Sequence, residues 1–213
     1  MQVSDLLGLM ANLSVGLDNT TPTERAIFLQ YLNLAHFELY QETASFNQDL
    51  IIQEEHDTQE DNKNLIELNN LPYTMNTVYD LTHKKVLERV SRIDLLGEDP
   101  GLTATGYPQK YLIRKQYLEL YPVQTNVTQV SIWYIPQPTL LKENTEESDI
   151  PYPPAYHPVL VDGGLYYLFQ EEGGFKNTTK ENDARARWLA GKKMLLSYLY
   201  NSSGQSISTF QSA

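Results

Sequence analysis

Four histidines, His36, His56, His83 and His157, are the side chains best suited by type to proton transfer or metal ligation. No two are spaced i,i+4, and no His-Glu-x-x-His segment sets a pair on one helical face, so a zinc site of that kind has no support. His36 falls near the apolar face of a predicted helix and reads as a core or boundary histidine. His157, beside Pro158, reads as part of a helix start, and His56 lies in an acidic stretch with a weak attraction for cations. Asp57, Gln59 and Asp61 follow the first ligand positions of a calcium loop. Its sixth position is Asn62 instead of glycine and its twelfth is Leu68 instead of glutamate, which leaves a solvated acidic face. Gly101-Leu-Thr-Ala-Thr-Gly106 has the glycine spacing of a phosphate loop, but Tyr107-Pro108 stands where a lysine and a hydroxyl must follow, and the segment reads as an ordinary loop. No Gly-x-Ser-x-Gly elbow occurs, and with no cysteine the chain has no thiolate nucleophile, disulfide framework or cysteine zinc site. Carboxylates are plentiful. A pair flanking a cleft would suit hydrolysis of a polysaccharide, and the same abundance is what an acidic surface looks like. No catalytic, cofactor-binding or metal-binding residue is assigned.

What remains is charge and tyrosine. The chain carries 16 Lys plus Arg against 27 Asp plus Glu, a formal net charge of −11, so its field repels free phosphate backbones. The acid is concentrated around residues 53–63 and 143–149. Two basic clusters stand apart from it, Lys84, Lys85, Arg89 and Arg92 in mid-chain, and Arg185, Arg187, Lys192 and Lys193 near the C-terminus. These either serve solubility or meet acidic patches on a neighbouring subunit. Tyr outnumbers Phe 15 to 6, which favours wet interfaces. Met1 to Gly16 lacks the cationic start of a signal peptide, and no stretch approaches 18 apolar residues. The expectation is a soluble protein made in a cytoplasm, without membrane contact, whose five Asn-x-Ser/Thr sequons are chance occurrences.

The elements that must position these residues can be read from periodicity. At 213 residues the chain is expected to form a single domain over 1–213. Val3, Leu6, Leu7, Met10 and Leu13 predict a first amphipathic helix, followed by a turn at Gly16–Asn19. Thr21-Pro22-Thr23-Glu24 is a capping box with proline at the first helical position, opening a helix that runs to the mid-40s. The N-terminal helices are thus placed in 1–52. Gln53 to Asn64 reads as a solvated loop or frayed helix end. A β-rich insertion is predicted over 65–140, with Thr77–Leu81 and Lys85–Ile93 as strands (the second with helical potential) and a loop over Leu95–Pro108. A hairpin of Tyr111–Ile113 and Tyr117–Tyr121 follows, and Val127–Ile135 is expected to pair with it. Ile132 and Tyr134 alternate with Trp133, which leaves the buried face undecided. Two C-terminal helices follow in 154–200. The first carries Gly163-Gly164, explained by close packing, and is stopped by Gly173-Gly174. The second opens on a capping box at Thr178–Glu181 and buries Ala184, Trp188, Gly191, Leu195 and Leu199. Residues 201–213 have only Ile207 and Phe210 as large apolar side chains and read as a flexible tail. The fold class is α+β, an antiparallel helical bundle with a β-rich insertion in its middle.

An ordered series of short segments carries a resemblance. Leu32-Asn33-Leu34-Ala35, with Leu39-Tyr40 closing the same helix, resembles the leucine-asparagine-x-alanine-x-x-x-leucine-tyrosine helix of tailed-phage head-to-tail connector proteins. Leu71-Pro72 resembles the step that opens their β part. Gly106-Tyr107-Pro108-Gln109-Lys110-Tyr111, Leu118-Glu119-Leu120-Tyr121-Pro122 and Trp133-Tyr134-Ile135-Pro136-Gln137-Pro138 with Leu140 resemble three further elements in the same order. Tyr156-His157-Pro158-Val159-Leu160-Val161 resembles the start of their penultimate helix. The series spans most of residues 3 to 200. The acidic stretch at 53–63 and the Gly163-Gly164 pair have no counterpart in it.

The resemblance implies a virion structural protein and not an enzyme, an adaptor or tail tubular protein made in the host cytoplasm. Such proteins form rings, often dodecameric, beneath the portal, accept tail proteins and extend a channel through which double-stranded DNA passes without specific binding. It implies no cofactor. The subunit and portal interface is expected to draw on Lys84, Lys85, Arg89, Arg92, Arg185, Arg187, Lys192, Lys193, Ile207 and Phe210. Another head-completion or tail-assembly role, or a carboxylate hydrolase of polysaccharide, is the alternative.

Overall fold

Polar caps and apolar stripes mark where the helices begin and which faces they bury. Thr21 accepts from the Glu24 amide, and the Glu24 carboxylate returns to the Thr21 amide. This box opens α2 (Pro22–Thr43), which follows α1 (Val3–Leu13). The computed structural model describes residues 1–14, 21–58, 64–124, 126–171 and 175–202. Within them the protein is α+β, with five α-helices and two four-stranded sheets. The chain divides into two compact units, one made of 1–48 and 138–213, the other of 49–137. The predicted turn at Gly16–Asn19 and stop at Gly173-Gly174 lie outside the described residues, as do Ile207 and Phe210.

The first unit holds α1, α2 and two later helices, α4 (His157–Gln170) and α5 (Thr178–Ser202). Helix α4 packs on all three of the others. Val3, Leu6, Leu7 and Met10 of α1, Phe28, Leu32, Ala35 and Leu39 of α2, Leu160, Leu165 and Leu168 of α4, and Ala184, Trp188, Leu195 and Leu199 of α5 share one apolar core. Close packing does account for the α4 glycines. A Cβ on Gly163 would stand 2.7 Å from the Ala35 Cβ and 2.9 Å from the Trp188 ring, and one on Gly164 would stand 2.7 Å from the Met10 methyl. Pro158 occupies the first turn of α4, where its missing N–H costs nothing. The cap of α5 differs from the expected one. Asn177, not Thr178, accepts from the Lys180 amide, which leaves Thr178 as the first helical residue.

The second unit contains strands β1 (Ile52–Asp57), β2 (Leu65–Glu67), β3 (Pro72–Asp80), β4 (Lys85–Val86), β5 (Glu88–Arg89), β6 (Lys110–Arg114), β7 (Tyr117–Tyr121) and β8 (Gln129–Pro136), with α3 (Arg92–Glu98) between β5 and β6. Their orders are β1-β8-β3-β4 and β2-β7-β6-β5. Every pairing is antiparallel except β5 with β6. Both sheets contribute to one core of Ile66, Leu68, Met75, Val78, Tyr111, Leu118, Leu120, Val130, Ile132 and Tyr134. The buried face of β8 therefore carries Ile132 and Tyr134, with Trp133 half-buried on the other face.

Three expectations for this unit are corrected. Gln53–Asp57 is strand, not loop. Its inward positions after Ile52 are Glu54 and His56, so polarity hides the alternation. Strand β8 does not pair with the β6–β7 hairpin but lies between β1 and β3, in register Ile52↔Tyr134 and Val78↔Ile132. The free edge of β7 is taken by β2, with Ile66 opposite Leu118. The segment from Leu95 is not all loop, because Ser91 and Asp94 form a capping box that starts α3 and buries Leu95.

Candidate functional site

The histidines resolve first. His36 is buried, its Nε2 3.2 Å from the Thr139 carbonyl, which requires that nitrogen to donate and leaves Nδ1 as an acceptor facing the Tyr152 hydroxyl. Burial lowers its pKa from 6.5 to about 4, against a smaller upward pull from the Thr139 carbonyl, so it is neutral at pH 7. Beside it Asn33 donates to the Leu141 carbonyl at 3.0 Å and accepts from the Leu141 amide at 2.8 Å. Asn33 and His36 thus fasten residues 139–141 to α2. His157 sets its two ring nitrogens against the carbonyls of Met1 and Tyr152. Both histidines fasten distant stretches of the chain to each other.

His56 pairs with Glu54 at 2.8 Å inside β1. Burial pulls the Glu54 carboxyl upward, but hydrogen bonds from Tyr134, His56 and the Asn69 amide outweigh it and hold the group below its ordinary value. Its partner Tyr134 is pushed up to about 12 by burial and by Glu54. His83 meets the fully buried Asp80 at 2.6 Å, and its ring lies tilted by 46° against Tyr107 with centroids 4.1 Å apart. An Asp–His pair can orient a base, yet no hydroxyl contacts the His83 Nε2 among the described residues, so no nucleophile completes it. The segment with phosphate-loop spacing holds a different anion. Asp99 accepts from the amides of Gly101 and Ala104 and from the Tyr121 hydroxyl, and these bonds, led by that of Ala104, depress its pKa. Asp57 ends β1, while Gln59, Asp61 and Asn62 lie outside the described residues.

Two surfaces gather the residues singled out for charge. In the first unit an open groove of about 730 Å³ runs between the end of α2 and α5, lined by Glu42, Phe46, Leu189, Lys192, Leu196 and Tyr200. Lys192 is drawn inside the subunit. It donates to Glu38 at 2.6 Å and Glu42 at 2.7 Å, and its ammonium stands 5.0 Å from the Trp188 ring centroid. Burial alone would lower its pKa, but the two glutamates raise it. Burial likewise would raise Glu38, but Lys192 and the Tyr167 hydroxyl hold it down. This triad is an ion-pair network that lowers the Glu38 pKa, the reverse of what the general acid of a carboxylate hydrolase requires. Arg187 pairs with Asp162 at 2.7 Å, while Arg185 and Lys193 face solvent.

In the second unit Lys84, Lys85, Arg89 and Arg92 are all exposed, Lys84 in the turn after β3 with φ of 54°. Arg89 and Arg92 share a concavity of about 500 Å³ with Arg114, Val90, Leu112 and Ile113. Arg114 was missed in the sequence because it stands in a different strand, and only the β5–β6 pairing brings it close. The groove residues Leu189, Leu196 and Tyr200 were also missed. Their i, i+7, i+11 spacing marks a second apolar stripe on α5, beside the one headed by Ala184 and Trp188.

Among the described residues, no group of three His, Asp or Glu is placed to hold a metal ion, and no helix is long and apolar enough to cross a membrane. No curated protein matches the chain. Residues 1–208 match the family model described as SU10 adaptor protein.

Proposed function

The chain belongs to the SU10 adaptor protein family, and from that premise we propose that it forms a ring at the portal vertex of a tailed phage, joins the portal to the tail and extends the DNA channel. The observation that carries this reading is the family match over residues 1–208, which spans both compact units. The ordered connector-like segments point the same way. The role is structural and not enzymatic, and the place of action is the virion, at the head-to-tail interface. Partners are further copies of the chain, with a dodecamer expected, the portal protein and tail proteins. DNA passes without specific binding, consistent with a formal charge of −11.

The architecture suits this task. The four helices of the first unit form an antiparallel bundle in this reading, and residues 49–137 are a β-rich insertion carried by it within one domain. A closed ring of identical subunits joins two different patches on each chain. The exposed cations Lys84, Lys85, Arg89, Arg92, Arg185 and Lys193 supply one kind of patch and the acidic segments the other. Arg187 and Lys192, paired within the subunit, stiffen α5 beneath that surface, and the tail with Ile207 and Phe210 adds apolar contacts to a neighbour or to the portal.

The test is reconstitution. The purified chain mixed with the portal ring of the same phage should give particles that show, by electron microscopy, an added ring on the face of the portal that receives the tail. A chain that stays monomeric and ignores the portal would sink this reading.

A further inference from the structure

The three arginines of the second unit form an unusual feature in so acidic a protein. Arg89 lies on β5, Arg114 ends β6, and Arg92 opens α3. The parallel pairing of β5 with β6, Arg89 opposite Tyr111, continues through the Val90 amide to the Tyr111 carbonyl at 3.0 Å and sets all three around one concavity. Val90, Leu112 and Ile113 complete its lining. No carboxylate lines it, and neither Arg89 nor Arg92 has an ion-pair partner among the described residues. Arg114 has only a loose contact with Glu119, at 3.5 Å. Guanidinium groups are suited to carboxylates, which they can grip with two parallel hydrogen bonds.

A ligand of that chemistry is present on the first unit. Residues 143–149 form an acidic knuckle. Lys142 and Thr145 close it through an amide-to-hydroxyl bond of 2.8 Å, the Val3 amide ties the Thr145 carbonyl at 3.1 Å, and a 3₁₀ turn at Glu147–Asp149 completes it. Glu143 is engaged by Arg25. The carboxylates of Glu146 and Asp149 are exposed and have no side-chain partner among the described residues. Because the knuckle is already folded, little ordering is needed for it to dock.

We propose that the Arg89–Arg92–Arg114 pocket of one subunit receives the Glu146–Asp149 knuckle of a second copy of this chain. The inference rests on the ring reading given above and specifies its contact between neighbours. DNA is the less suitable occupant, because a −11 protein repels an extended phosphate backbone and a small concavity engages few phosphates at once.

The contact can be tested by charge reversal in the full chain, with self-association followed by sedimentation and electron microscopy. One variant carries Arg89→Glu, Arg92→Glu and Arg114→Glu, the other Glu146→Lys and Asp149→Lys. Circular dichroism establishes that each is folded. Each variant alone should associate about tenfold or more weakly than the wild type, and an equimolar mixture of the two should recover assembly, since every junction in an alternating ring is then complementary. If both variants assemble as well as the wild type, or if the mixture fails to recover, the proposal is overturned. Failure of the arginine variant to retain a short DNA duplex at low salt, with self-association unchanged, would assign the pocket to DNA instead. If the variants still bind the portal ring, the adaptor reading survives the loss of this contact. A wild-type chain that neither self-associates nor binds the portal removes both.

Discussion

A neutral histidine in a protein core makes stability depend on pH. The unfolded chain binds a proton at His36 near pH 6.5, the folded chain only near pH 4. Between those values the unfolded state holds more protons, so acid favours unfolding there, while above pH 7 the group contributes no slope. The expected loss on going from pH 7 to pH 4 is about 3 kcal/mol from this residue. Denaturant unfolding of wild type and His36→Gln across that range is the check, and the variant should lack this increment of slope. Equal slopes would show that His36 is solvated. The connector-like series was legible in the sequence at Asn33 and Ala35, and His36 as a core or boundary residue, but their physical content was not. Asn33 stands where an amide must both donate to and accept from Leu141, and Ala35 where a larger side chain would meet Gly163. A residue's partner more than a hundred positions away cannot be read from local spacing. Arg114 escaped notice in the same way.

At the scale of elements, apolar spacing predicted α1, α2, α4 and α5, whereas the short α3 was read partly as loop. Strand β1 was hidden because Glu54 and His56 replace the apolar residues that mark a buried face, and their mutual hydrogen bond satisfies what burial would otherwise penalise. Strand β8 was assigned to the wrong neighbours because sequence proximity favoured the hairpin, while β2 had already taken the edge of β7. The two glycines of α4 should respond differently to alanine. Gly163 faces the Ala35 Cβ and the rigid Trp188 ring, neither of which can withdraw, so Gly163→Ala should cost about 1–3 kcal/mol despite a gain in helix propensity. The nearest atom to Gly164 is the tip of the flexible Met10, so Gly164→Ala should change stability by about 1 kcal/mol or less. Urea midpoints of the two variants decide this, and equal losses would contradict the asymmetry.

For the whole molecule, the composition excluded thiolate, disulfide and cysteine zinc chemistry, and the charge segregation drew attention to surfaces. The β-rich part was visible as an insertion expected over 65–140, but residues 52–57 were not assigned to it because strand β1 was read as loop. The core residues Ile66, Val78, Leu118, Leu120, Ile132 and Tyr134 all lie within 49–137. A fragment of those residues should therefore unfold cooperatively, with a far-UV spectrum rich in strand. A fragment of 1–48 should lack stable helix, because α1 and α2 bury their stripes chiefly against α4. Circular dichroism and thermal melts of the two fragments test the contrast.

The division into two compact units also sets an order of events on the ribosome. Residues 49–137 have all their core partners as soon as they emerge, whereas α1 and α2 must wait for α4 and α5 to be translated. At roughly 5–20 residues per second the delay is on the order of ten seconds. Throughout it the nascent chain presents Leu6, Leu7, Met10, Phe28 and Leu32 without their final cover. The earliest helices are thus the last to be completed, and holdase chaperones have their opportunity at the N-terminus instead of in the β-rich unit.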